Sequence, residues 1–230
     1  MTDTGNSGQS EQDVEIAIDD KTRLKGSLCI PKEAKGIVLF AHGSGSSRFS
    51  PRNRYVAGVF RKKDLATLLM DLLTKEEEQI DLETREYRFD IELLSKRIVC
   101  ATKWLLENKE IGNLKIAYFG SSTGASAALS AAADLNTIIT AVVSRGGRPD
   151  LAGDKLTKVK ASTLLIVGGN DPIIIDINQD AMKKLHAEKK LVIVPGAGHL
   201  FEEPGALDQV ANIAVQWLVR YLHDKNCSFK

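Results

Sequence analysis

LKIAYFGSSTGASAALSAAA, residues 114–133, decides the fold. Its first half is a short run without alternation, as in a strand covered on both faces, and its second half is a helix of small residues. Between them Gly120-Ser121-Ser122-Thr123-Gly124 fits G-x-S-x-G. A strand-to-helix turn this tight forces its central residue into a strained backbone, and glycines two positions to either side avoid clashes with the adjoining strand and helix. Ser122 is therefore expected to project its hydroxyl from the carboxyl edge of a sheet. The bland alternative is an ordinary strand-helix turn filled with small residues.

A serine hydroxyl needs a base within hydrogen-bond reach, and the base needs an orienting acid. Of the four histidines, His199 lies in PGAGH, a glycine-rich loop straight after the apolar run LVIV. His186 and His223 fall in helical stretches beside lysine or aspartate and are expected to be solvated. Asp171 in GGNDP follows the run TLLIV, which gives the chain order Ser122, Asp171, His199. Asp180 reads as a surface charge, and Asp71, at the end of ATLLM, is the alternative acid. Oxyanion donors are expected from the backbone N–H groups of Thr123 and of Ser44, the latter in AHGSGSS after the run GIVLF. His42 in that loop would support it by hydrogen bonds to local backbone. A phosphate cradle is the competing reading of this loop, but neither G-K-[ST] nor G-x-G-x-x-G is present.

Outward from this centre, the apolar runs at 36–41, 66–70, 138–143, 163–167 and 191–194 alternate with helical stretches near 52–63, 88–108, 175–187 and 205–223. Ahead of them VEIAI and a second run at 24–30 flank Asp19-Asp20-Lys21 as a hairpin would. The expectation is an α/β fold: a mostly parallel eight-stranded sheet with helices on both faces. Residues 1–12 are expected as a flexible leader and 13–230 as one domain. The interval 144–162 has room for one short helix, so no large cap is expected and the pocket should be shallow and open. It contains Arg145 and Arg148, candidates for binding an anionic substrate group. The alternative is that they pair with Asp150 and with the acidic segment 71–86 (DLLTKEEEQIDLETRE), itself expected as a solvated loop or short helix without chemistry.

Composition narrows the partners. Lysine plus arginine at 31 against aspartate plus glutamate at 30 leaves a net charge of +1, which disfavours nucleic acid. No run reaches the roughly 18 apolar residues of a membrane span. Three cysteines without CxxC spacing suggest neither disulfides nor a zinc site, which points to the cytoplasm. No metal or organic cofactor is expected, the partner is a small-molecule ester, and the oligomeric state is left open.

Together AHGSGSS, GSSTG, GGNDP and GAGH resemble the α/β-hydrolase superfamily and, within it, the dienelactone hydrolase-like branch, over about residues 14–223. The stretch from AHGSGSSRFSPRN to LATLLMDLLTKEEE also resembles the hydrolase portion fused to phosphoribosyltransferase domains in some bacterial proteins. The resemblance implies the α/β-hydrolase fold and a triad. Dienelactone hydrolases proper use a cysteine nucleophile where Ser122 stands here, which turns the expectation toward a general serine esterase, including small or anionic esters and lactones. A C–C hydrolase or lyase on the same fold, or a non-catalytic binding scaffold, are the alternatives.

Overall fold

The computed structural model describes residues 10–223. Most of the leader expected over 1–12, and Cys227, lie outside the described residues; Gln12 already belongs to the first strand.

Eight strands form one sheet: β1 (Gln12–Ala17), β2 (Arg23–Cys29), β3 (Gly36–Ala41), β4 (Leu65–Met70), β5 (Ile116–Ser121), β6 (Ile139–Arg145), β7 (Ser162–Gly168) and β8 (Lys189–Val194). Their order across the sheet is β1-β2-β4-β3-β5-β6-β7-β8. β2 pairs antiparallel with β1 and β4, and every other neighbouring pair is parallel. The unalternating runs are explained by coverage on both faces. In β3, Ile37 and Leu39 enter one apolar core while Val38 and Phe40 enter the other, and in β5 Tyr118 and Phe119 divide in the same way. Helices α1 (Pro51–Arg61) and α6 (Ala206–Leu222) close one face, where Phe40, Phe60 and Phe119 pack with centroids 4.9 to 5.7 Å apart. Helices α3 (Ile91–Glu107), α4 (Thr123–Leu135) and α5 (Pro172–Lys184) lie on the other with a 3-10 segment, Pro149–Lys158.

Most elements differ from the sequence reading by one to three residues at their ends, α3 for example starting at Ile91 and α5 ending at Lys184. Helix α5 starts at Pro172, three residues before expected, because Pro at the first helical position has its φ preset and no N–H to leave orphaned. The segment 71–86 contains a full helix, α2 (Lys75–Thr84). Its start is a capping box: the Thr74 hydroxyl accepts from the Glu77 N–H and the Glu77 carboxylate from the Thr74 N–H. Among the described residues no helix is long and apolar enough to cross a membrane.

Candidate active site

Ser122 sits between β5 and α4 with φ +50° and ψ −121°, a left-handed conformation that is strained for a residue with a Cβ. Backbone bonds hold it there: its N–H donates to Arg145 O at 3.2 Å, and its carbonyl accepts from the N–H groups of Ala125 and Arg148. The flanking glycines are required by close approach. A Cβ on Gly120 would lie 2.4 Å from Ala125 Cα, and one on Gly124 would lie 2.3 Å from His42 O. The elbow is thus wedged between α4 and the loop after β3.

Asp171 follows β7 and starts α5, yet its carboxylate caps no helical N–H. Its Oδ2 instead lies 2.7 Å from His199 Nδ1. The two loops are stapled by backbone and amide contacts: Asn170 N–H donates to Ala197 O at 2.9 Å and Asn170 Nδ2 to Gly196 O at 2.8 Å. Beyond the histidine, Phe201 takes φ +56° and is buried against the α1/α6 core, and Glu203 accepts the Gly198 N–H at 2.8 Å. Gly146, next to the residue that anchors Ser122, is packed on His199: a Cβ there would be 3.0 Å from His199 O and 3.5 Å from its Cε1. His199 is therefore brought over the elbow, with its Nδ1 engaged by Asp171 and, among the described residues, no hydrogen bond yet joining its ring to Ser122. Catalytic hydrogen bonds are commonly looser before substrate arrives.

The loop after β3 meets α4 at Thr123, whose N–H is at the first turn of the helix, where backbone donors have no intrahelical partner. Ser44 N–H points to the same place but donates to Thr123 Oγ1 at 3.0 Å, and Ser44 Oγ lies 3.0 Å from that same hydroxyl. His42 supports the loop more widely than expected. Its Nδ1 donates to Gly43 O at 2.9 Å, and its Nε2 accepts the Leu72 N–H at 2.9 Å, so it also ties the loop to the end of β4. Burial holds the ring neutral, pushing its pKa below the usual histidine range against the pull of Gly43 O, Asp71 and Glu78.

Asp71 is engaged elsewhere: its carboxylate accepts Arg48 N–H at 2.7 Å and Arg48 Nη1 at 2.5 Å. The two candidate arginines part company. Arg148 forks onto Asp150, with Nε at 2.9 Å and Nη2 at 2.7 Å, the pairing anticipated as the alternative. Arg145 is buried and, among the described residues, has no such partner. His186 is exposed, whereas His223 has its Nε2 buried and its pKa lowered by that burial, so the expectation that it is solvated fails.

Beside Ser44 and Thr123 lies a cavity of about 410 Å³. Leu72, Leu73, Thr74 and Leu82 of the β4–α2 segment line it together with Phe49 and Leu94. The three glutamates at 76–78 made this segment read as solvated, while the T-x-x-E spacing at 74–77 was the signal for an ordered helix.

Comparison with known proteins agrees with this architecture. At 54% identity over 86% of its length the chain matches a protein of Mycobacterium tuberculosis that carries a provisional phosphoribosyl transferase name, present in two strains. The match takes in 44% of that protein, so the chain spans less than half the length of the curated relatives it matches. The crystal structure of a dienelactone hydrolase from Anabaena variabilis superposes with a TM-score of 0.91 at 58% identity, covering 94% of this chain and 99% of that one. Est1E from Butyrivibrio proteoclasticus shares the fold at 16% identity, with a TM-score of 0.76 over 91% of this chain and 98% of its own. The family model for dienelactone hydrolases matches residues 24–220, from the second strand through the last helix, and the chain belongs to the dienelactone hydrolase family.

Proposed function

We propose that the protein is a serine hydrolase that cleaves carboxylic esters through an acyl-enzyme, with Ser122 as nucleophile, His199 as base and Asp171 as orienting acid. The observation that carries this reading is the 2.7 Å contact between Asp171 Oδ2 and His199 Nδ1 over a strained Ser122. The contact keeps the proton on Nδ1, so Nε2 is free to accept the serine proton.

Ser122 Oγ attacks the ester carbonyl as its proton passes to His199 Nε2, and the carbonyl oxygen becomes an oxyanion. Thr123 N–H and Ser44 N–H receive that charge; the carbonyl oxygen takes the place of the Thr123 hydroxyl on the Ser44 amide, which a rotation about χ1 releases. Collapse breaks the ester C–O bond, and His199 gives its proton to the departing alkoxide. Water, deprotonated by His199, then attacks the acyl-enzyme, releasing the acid and returning the proton to Ser122 Oγ. The cavity beside Ser44 and Thr123 accommodates an apolar part of the substrate. The side-chain thiols of Cys29 and Cys100 are free, which supports a reducing compartment such as the cytoplasm.

Fluorophosphonate labelling tests the reading. The parent should label covalently, and Ser122→Ala should lose both the label and ester turnover, the latter by a factor on the order of 10⁶. Turnover retained in Ser122→Ala would overturn it.

A further inference from the structure

The position of the cavity relative to Ser122 follows from the sheet. Strands β2, β4, β3 and β5 are consecutive neighbours, and the cavity is lined from the loop after β3, the segment after β4 and the start of β2. Asp71 N–H donates to Lys25 O at 2.9 Å, which sets the start of β2 beside the end of β4. The cavity therefore runs sideways from the nucleophile toward β2, within about 15 Å, or three strand spacings of roughly 4.8 Å. Gly43 adjoins it to the nucleophile: a Cβ there would lie 3.1 Å from Ser122 Cβ.

Five apolar side chains converge on this space: Phe49, Leu72, Leu73, Leu82 and Leu94. Its charged lining asks for no charged ligand. Asp71 is paired with Arg48, Asp81 with Arg88 and Lys25 with Glu15, while Arg23, Lys75, Glu76 and Glu78 are exposed to water. The wall is also fixed, since Thr74 and Glu77 form the capping box of α2 and Arg97 donates to Leu72 O at 2.6 Å. A concave, preformed and mostly apolar lining fits an uncharged hydrocarbon group.

The chemistry of the elbow says which group that is. In the tetrahedral intermediate the carbon holds Ser122 Oγ, the oxyanion, the leaving oxygen and the acyl group. The oxyanion is held by the Ser44 and Thr123 amides, and the leaving oxygen must lie at His199 Nε2, which protonates it. Among the described residues that line the cavity, none comes from the Asp171 loop or the His199 loop, whereas Ser44 and Thr123 both do line it. The cavity is thus on the side away from the leaving group, where the acyl group points.

We propose that this cavity is the acyl site, with Leu73, Leu82 and Phe49 as its specificity-determining residues, and that the substrate is an ester of a medium-length aliphatic or aryl acid whose alcohol is held loosely. The proposal rests on the ester-hydrolase reading and adds the acyl group to it. The start of β2 sets the length, because a longer chain reaches the polar heads of Arg23 and Lys25.

The test measures kcat/KM for p-nitrophenyl acetate, butyrate, hexanoate, octanoate and decanoate, and for ethyl, butyl and hexyl acetate. In the parent the acyl series should rise tenfold or more from acetate to hexanoate, each buried methylene adding up to about fourfold, and level off by decanoate. The alcohol series should stay flat. Leu73→Trp, which fills the cavity, should lower the hexanoate-to-acetate ratio tenfold or more. Phe49→Ser and Leu82→Ser should lower it several-fold, and because both side chains are exposed these variants serve if Leu73→Trp does not fold. A ratio that none of the three changes overturns the acyl site, as does a length dependence found in the alcohol series instead; a rise that continues through decanoate overturns the limit at β2. Thermal unfolding gives a readout without turnover: hexanoate should raise Tm more than acetate does in the parent, and this difference should vanish in Leu73→Trp and shrink in Leu82→Ser. A parent that labels with fluorophosphonate but shows a flat acyl series keeps the hydrolase and loses the acyl site. A parent that does not label loses the hydrolase, and the Tm difference still decides whether the cavity takes an apolar acid.

Discussion

The charged groups on the two sides of Ser122 are housed in opposite ways. Toward β4 and α2 the three carboxylates turned into the protein each have an arginine: Asp71 takes Arg48, Glu77 takes Arg97 at 2.5 and 2.8 Å, and buried Asp81 takes Arg88 at 2.6 Å. Toward α1 and the His199 loop, Arg145 is as deeply buried and, among the described residues, meets no carboxylate. Charge that is fully paired fixes a scaffold; charge left unpaired costs the fold stability. Glu77 and Asp81 show the first half of this: burial raises their carboxyl pKa values, but the arginine and backbone donors outweigh it and hold both below the usual carboxylate range.

The largest effect should separate the two aspartates at the sheet edge. Asp171→Asn is expected to lower kcat by roughly 10⁴, because an amide stabilises the wrong imidazole tautomer. Asp71→Asn should leave most of kcat intact, since its partner is Arg48 rather than His199. Steady-state kinetics on both variants decides this, and the greater loss in Asp71→Asn would move the acid to β4.

Next comes stability. Arg97 donates to Leu72 O at 2.6 Å as well as to Glu77, so Arg97→Met strands a half-buried carboxylate and a carbonyl and should cost about 3–5 kcal/mol in urea unfolding. Arg97→Met/Glu77→Gln should recover part of that loss by removing the stranded charge. Arg145→Met should behave in the opposite sense and be neutral or stabilising by up to about 2 kcal/mol, since it removes an uncompensated buried cation. Equal destabilisation by Arg97→Met and Arg145→Met would erase the contrast between the two sides.

What the sequence disclosed follows the same division. The elbow, the Asp171 loop and the His199 loop were legible because each ends an apolar run that must be a buried strand, and strand ends of a parallel sheet share one edge. Five crossovers fixed that edge before any contact was known. The α2 wall of the cavity was not, because Glu76, Glu77 and Glu78 read as a solvated face when only Glu77 is turned inward, to Thr74 and Arg97. Nor could spacing tell Arg145 from Arg148: three residues apart, one meets Asp150 and the other enters the layer under α1. The competition of Thr123 Oγ1 for the Ser44 amide depends on a side-chain rotamer across 79 residues of chain, which no local pattern encodes.

The smallest effect is one of pH, and it again probes the paired side. His42 is neutral because burial disfavours its cation, and its Nε2 must stay unprotonated to accept the Leu72 N–H. In the unfolded chain the ring has its ordinary pKa near 6.5, so below that pH the unfolded state binds a proton that the folded state refuses. Stability therefore rises with pH through this window and is lost on acidification, with a slope of at most about 1.4 kcal/mol per pH unit for one such group. His223, also lowered by burial, adds in the same direction. Unfolding free energy measured between pH 8 and pH 5 should thus decline below pH 6.5 in the parent and decline less steeply in His42→Asn, which deletes the larger of the two burials. Asp81 and Glu77, whose lowered pKa values make their contribution disappear only below the ordinary carboxylate range, should give a second decline further into acid in both proteins. Identical slopes above pH 5 in parent and His42→Asn would mean that the ring is protonated in the fold, and that it does not accept the Leu72 N–H that ties the oxyanion loop to β4.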